Sequence, residues 1–384
     1  MKPVYLDHNA TTPVDPEVFE AMRPYLTEHF GNPSSPHFYG VEARKAVEKA
    51  RTQVAGLLDC EPEDVVFTSG GTEANNHAIK GACLARRDKG RHIVTSAVEH
   101  PAVLEVCRYF ETMGFALTVV PVDAYGVVDL SALKKALTPE TTLISVMHAN
   151  NEVGTVQPVE EISDIARERG ILFHTDAAQA AGKIPVSVKE LGVDLLSLAG
   201  HKLYAPKGVG VLYVKGGVAL ERLLHGAGHE GGRRAGTENV ASIVALGAAC
   251  ELAKRNLKKN AARMKETRDR LLAGLEEKAG DIRFNGHPER CLPNTLSVSF
   301  RGIDAGTLIS HMRGVAASAG AACHRASLEI SSVLKAMKVP VEYARGTVRF
   351  STGKMTTVGE IDEAVRAVAG AVKKIRKTRS FPGD

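Results

Sequence analysis

No apolar run in the 384-residue chain approaches the ~18 residues that a membrane-spanning helix needs. Its first residues, MKPVYLDHNATTP, lack the apolar core of a secretory signal. A cytoplasmic protein without a membrane partner is therefore expected. Charge of one sign is scarce as well. The formal net charge is only +5 and basic residues alternate with acidic ones, so the basic face that DNA binding demands is missing. The one basic run, KKIRKTRSFPGD, reads as the solvated end of a helix. The six cysteines (Cys60, Cys83, Cys107, Cys250, Cys291 and Cys323) contain no C-x-x-C pair, which removes the signal for zinc, an iron–sulfur cluster or a disulfide framework. No metal site is expected. No glycine loop ends in G-K-[ST], so a Walker phosphate loop is excluded. Internal repeats and low-complexity segments are absent too.

What is present is ordinary globular material. At 44% hydrophobic and 24% charged residues the chain can bury a real core, and its length favours two domains. Seven β-rich runs, DVVFTS, HIVTS, ALTVVPV, TLISVMHA, ILFHTD, DLLSLAG and GVGVLYV, are mostly separated by stretches of helical periodicity. That alternation predicts an α/β fold with a mainly parallel sheet. The last run follows its predecessor across a turn, which predicts one antiparallel strand. A long helical stretch over 240–278 is expected to break once. Beyond it come fewer strands, NTLSVSF and TVRFST, and a final helix with Val358, Ile361, Val365, Val368, Val372 and Ile375 on one stripe. Thr357 and Glu360 give its start a capping-box spacing. A large domain over 16–260 and a smaller α+β domain from 1–15 and 261–384 are expected.

Chemistry-bearing residues recur where strands end, and sites in open α/β sheets lie there. In FTSGGTEANN the chain passes from a strand through glycines into a helix, a backbone suited to an anion; a helix capped by Thr72 is the plain alternative. Asp176 and Gln179 follow ILFHT, His100 follows TSAVE, and Asn150 and Asn151 follow SVMHA. Lys202, in SLAGHKLYAPKGVG, ends another strand. A lysine at a sheet edge, near an anion site and a carboxylate, is what a pyridoxal phosphate Schiff base requires. Cys60, Cys83, Cys107 and Cys250 sit in or beside apolar helical patterns and read as buried thiols. Cys323, among the small residues of SAGAACH, reads as either a nucleophile or a structural thiol.

Taken in order, YLDHNATTPVDP, GNPSSPH, FTSGGTEANN, SAVEHPAV, NNEVG, HTDAAQ, GHK, RRAGTEN, SAGAACH and VRFSTG resemble the cysteine desulfurase family of fold-type I pyridoxal phosphate enzymes, end to end. The class also contains selenocysteine lyases. The resemblance implies a homodimer that binds pyridoxal 5'-phosphate, takes sulfur from L-cysteine and hands it to an acceptor protein, as in iron–sulfur cluster assembly. It implies that Lys202 holds the cofactor, His100 stacks on its ring and moves protons, and Asp176 pairs with the ring nitrogen. Asn151 and Gln179 would bond the phenolic oxygen. Gly71, Thr72 and His201 would hold the phosphate, with Thr237 reaching it from the partner subunit. Arg349, with Asn151, would bind the substrate, and Cys323 would accept the sulfur as a persulfide. Three positions depart from the pattern: Ala199 replaces a common Ser or Thr, Gly231 replaces an arginine, and Ala321 with His324 look more like selenocysteine lyases. His324, when protonated, would favour the Cys323 thiolate. Selenocysteine lyase is thus the nearest alternative activity, and an aminotransferase or a non-catalytic sulfur-relay scaffold the more distant ones.

Overall fold

The structure is a computed structural model describing residues 3–319 and 330–379; Ala321, Cys323 and His324 lie outside the described residues. Its main sheet has seven strands. They are β1 (Val65–Thr68), β2 (His92–Ser96), β3 (Ala116–Val120), β4 (Thr141–Ser145), β5 (Leu172–Asp176), β6 (Leu195–Ala199) and β7 (Gly210–Val214). The spatial order is β1-β7-β6-β5-β4-β2-β3. Neighbours run parallel except β7, which is antiparallel to both β6 and β1. A turn over 200–209 leaves no room for a crossover helix, so the chain must reverse. All but the edge strand β3 are buried along their length, and this explains why they do not alternate apolar with polar residues.

Helices cover both faces. One face receives α2 (Gly71–Ala85) and α3 (Pro101–Glu111), through Ala74, Ala78, Ile79, Val103, Cys107 and Phe110 against Val66, Ile93, Leu143, Leu172 and Leu212. The other face is covered by α1 (Phe38–Leu58), α4 (Val159–Glu168) and the first half of α5 (Val240–Ala279). Cys83, Cys107 and Cys250 are buried as expected, but Cys60 is partly exposed.

Helix α5 runs unbroken for 40 residues, against the expected break. Its buried residues stop at Ala253 and resume at Met264. The polar stretch between them leaves one core and enters another, and its Lys, Arg, Leu and Ala residues carry the helix across on propensity alone. The second core surrounds the antiparallel strands β8 (Ile282–Asn285), β9 (Thr295–Phe300), β10 (Ser318–Ala319) and β11 (Thr347–Ser351), in the order β10-β11-β9-β8. Helix α6 (Val358–Arg379) closes it with Ile361, Val365, Val368, Val372 and Ile375, while Val358 at its start is exposed. The capping box is present: Thr357 N–H donates to Glu360 Oε2 at 2.8 Å and Glu360 N–H to Thr357 Oγ1 at 3.3 Å. The N-terminal segment joins this core, with Val4–Tyr5 pairing parallel to Val315–Ala316. Val333, Leu334, Met337 and Ala344 instead pack on the first core.

Candidate active site

The carboxyl ends of β1, β2, β4, β5 and β6 open into one cavity of about 560 Å³. It is lined by Gly71, Thr72, His100, Asn151, Asp176, Gln179, His201, Lys202 and Arg349, so most of the sequence-predicted residues meet there; Asn150 and Thr237 do not line it, and Cys323 lies outside the described residues. Thr237 is exposed on the loop between β7 and α5 and does not line this cavity.

One end of the cavity suits an anion. Helix α2 begins after Gly70, an N-cap that has no side chain to cap with, so no side-chain bond satisfies its first turn. Thr72 is therefore a first-turn residue and not the cap. The first N–H groups and the helix dipole face the cavity. Helix α2 lies so close to β6 that a Cβ on Gly71 would stand 3.2 Å from that of Ala199. His201 Nδ1 lies 3.1 Å from Thr11 Oγ1. Burial first, then Lys202 and Lys207, bring its pKa down to about 4, so the ring is neutral at neutral pH.

At the centre, Lys202 Nζ donates to the backbone oxygens of Asn9 at 2.5 Å and Ala10 at 2.7 Å. Asp176 is buried with both oxygens held: Asn75 Nδ2 donates to Oδ2 at 2.7 Å and Ala178 N–H to Oδ1 at 2.9 Å. His100 caps α3, its Nδ1 accepting the Ala102 N–H at 3.1 Å. Burial lowers its pKa although Asp176 opposes this, and the neutral ring then carries its proton on Nε2. Gln179 Nε2 donates to Asn9 O at 3.0 Å.

At the far end, Arg349 projects from β11, almost fully buried. Nη2 donates to Asp7 Oδ1 at 2.9 Å and Nη1 to Asn151 O at 3.0 Å, while Nε has no partner among the described residues. Beside it, Glu152 Oε2 accepts the Ser331 hydroxyl at 2.5 Å. Burial lifts its pKa to about 7, with Ser331 and Arg349 pulling the other way.

Sequence reading missed the groups behind these. Asn9 touches Lys202 and Gln179 through its carbonyl, Thr295 Oγ1 through Nδ2 at 2.8 Å, and Ser351 Oγ through its N–H at 2.9 Å. Asn75, Glu99, Glu152 and Ser331 also line the cavity. Only their closeness to marked residues, as in VEH and NNE, signalled them.

A doubly covered, mainly parallel sheet with an anion end, a buried carboxylate and a lysine at its strand ends is the arrangement of the class-V aminotransferases. The chain belongs to that family, whose profile, described as Aminotransferase class-V, matches residues 4–364. Within the family, relatives matched over nearly the whole chain include cysteine desulfurases. Cysteine desulfurase IscS of Dictyoglomus turgidum is 48% identical over 97% of this chain and 95% of that protein. Cysteine desulfurase 2 of Trichormus variabilis is 47% identical over 100% of this chain and 96% of its own. Among solved structures, a NifS-like protein superposes with a TM-score of 0.92 at 40% identity, covering 97% of this chain and 100% of that one. SspA in complex with cysteine gives 0.80 at 35% identity, covering 92% and 99%.

Proposed function

We propose that the protein is a cysteine desulfurase that binds pyridoxal 5'-phosphate, converts L-cysteine to L-alanine, and carries the sulfur as a persulfide on Cys323 to an acceptor protein. The observation that carries this reading is the opening of an uncapped helix N-terminus, a buried carboxylate and Lys202 into one cavity. The residues fit the cofactor. The first turn of α2, with Gly71, Thr72 and His201, suits its phosphate. Asp176 suits the ring nitrogen, the neutral His100 ring suits a stacked face, and the amides of Gln179 and Asn151 suit the phenolic oxygen. When bound, the cofactor supplies an electron sink for the charge left at the substrate α-carbon.

The chain's own groups do the rest. Lys202 Nζ holds the cofactor and then takes and returns the proton at the α-carbon. Asp176, its two oxygens fixed by Asn75 and Ala178, would pair with the ring nitrogen. Arg349 turns its guanidinium to the substrate carboxylate, a task for a planar fork. The Cys323 thiolate attacks the substrate sulfur. An S–S bond forms, the Cβ–S bond breaks with its electron pair left on carbon, and a proton takes the place of sulfur there. Cysteine and one thiol thus give alanine and one persulfide.

A homodimer, in which Thr237 of each subunit serves the other's phosphate site, belongs to the same reading. So do a cytoplasmic location and the division into a large unit over 16–260 and a small unit from 1–15 and 261–384. No helix among the described residues is long and apolar enough to cross a membrane.

The test is direct. The purified protein should be yellow with pyridoxal phosphate, and Lys202→Ala should abolish the visible band. L-cysteine should yield alanine, and Cys323→Ala should stop it. A protein that stays colourless with added cofactor refutes the reading, and undiminished cysteine turnover by Cys323→Ala refutes the acceptor role.

A further inference from the structure

Behind the cavity floor lies a lysine that the chemistry above leaves unused. Lys183 follows β5 and the Gln179 turn, and only 5% of it is exposed. Its Nζ donates to two oxygens of the same residue, Gln179 O and Gln179 Oε1, both at 2.9 Å. No carboxylate pairs with it among the described residues. The ionisable groups around it are mostly cationic. Lys202 and Arg349 act on it directly, and His8, next to Asp7, feels its charge in turn. Tyr204 and Lys354 share a small void with it, and Lys354 is already paired with Asp15. A buried ammonium in such company either sheds its proton or waits for an anion. Burial first, then Lys202 and Arg349, bring its pKa down to about 7.

The bonding pattern says which anion. The ammonium offers donors only, and the neutral amine still has the two N–H groups that these two contacts use, so Gln179 turns Oε1 towards it. The amide nitrogen then faces Asn9 O and the cavity, where an N–H is left for an oxygen of the bound group. We propose that Lys183 is a positioning residue for the cofactor: it locks the Gln179 amide with its N–H groups towards the cavity and sets a positive charge behind the oxygen anion that Gln179 holds, taking up a proton when that anion arrives. The proposal rests on the reading that this cavity binds pyridoxal phosphate. By linkage the effect is reciprocal: the anion raises the lysine's proton affinity, and the charged lysine lowers that of the oxygen. A charge one side chain away is worth on the order of one pKa unit at the effective dielectric of a protein interior.

Lys183→Met and Lys183→Gln test it, since both remove the charge and glutamine can still donate to Gln179. Calorimetric titration of the cofactor-free protein with pyridoxal phosphate, near pH 8 in two buffers of different ionisation enthalpy, counts the protons taken up. Wild type should take up a substantial fraction of a proton more than either variant. The pH midpoint of the visible absorption of the loaded protein should rise by about one unit in both variants. A purely structural role would weaken binding without moving the proton count or the midpoint. Equal counts and equal midpoints in all three proteins overturn the proposal while leaving the cofactor reading intact. A wild type that develops no visible band overturns both.

Discussion

Glu99 stands beside His100 with its carboxyl sealed between β2 and β4, and it should make the stability of the protein fall as pH rises. Its Oε1 accepts the Ser96 hydroxyl at 2.5 Å and the Met147 N–H at 2.9 Å, while Oε2 has no partner among the described residues. Ionised, that second oxygen would carry charge without solvent and near Asp176. Burial, the largest cause, and Asp176 push the pKa from 4.5 up to about 8, against the pull of both hydrogen bonds. Below the unfolded value, both states hold the proton and nothing is lost. Between the two values the unfolded chain has released its proton and the native chain keeps it, so each pH unit costs about 1.4 kcal/mol, and roughly 5 kcal/mol is gone by about pH 8. Glu99→Gln keeps the shape and the accepting oxygen but has no proton to lose. Urea unfolding of the cofactor-free proteins, compared through a common m value, provides the readout. Near pH 5 the two should differ little. Near pH 8.5 the variant should be the more stable, by on the order of 4–5 kcal/mol. A difference that stays constant across this range would show that Glu99 ionises as in water and would refute the reasoning.

Two other side chains give sharp expectations. Arg349→Lys keeps the charge and loses the fork, so KM for L-cysteine should rise by on the order of tenfold while kcat falls less; steady-state kinetics in which kcat alone falls would count against a carboxylate clamp. Glu230→Ala strips Arg51 of a bidentate partner at 2.9 Å on both oxygens and leaves the Phe67 N–H without its acceptor at 2.8 Å. Because the Glu230 side chain is only 3% exposed, the loss should be about 3–5 kcal/mol, read as a lower Tm, and a change of a few tenths would mean the pair is solvated.

The strand-end residues were legible because each follows a β-rich run and precedes a helix or turn, a pattern local in sequence. What lies one step behind them was not. Asn150 and Asn151 are neighbours of identical chemistry, yet Asn150 spends its side chain on Glu152 N–H, Val153 N–H and Val98 O, and Asn151 faces the cavity. Nothing local distinguishes them. The ion pair of Arg349 with Asp7 joins residues at opposite ends of the chain, and no periodicity reports such a partner. Helix α5 shows the converse error. A ten-residue window sees a polar interruption between two apolar stretches, and only the presence of two cores explains why the helix continues through it.

Asn9 reaches Lys202 and Gln179 on one side and Thr295 and Ser351 on the other, with a timing implicit in that reach. A polypeptide is made from its N-terminus, so this asparagine leaves the ribosome 342 residues ahead of its neighbour Ser351. Until that serine emerges the lysine can be in place on its strand end while the wall around it is open. On the proposed reading, a pocket closed around the cofactor forms only after Ser351 has emerged, and a chain truncated before Thr347–Ser351 should release whatever it has bound.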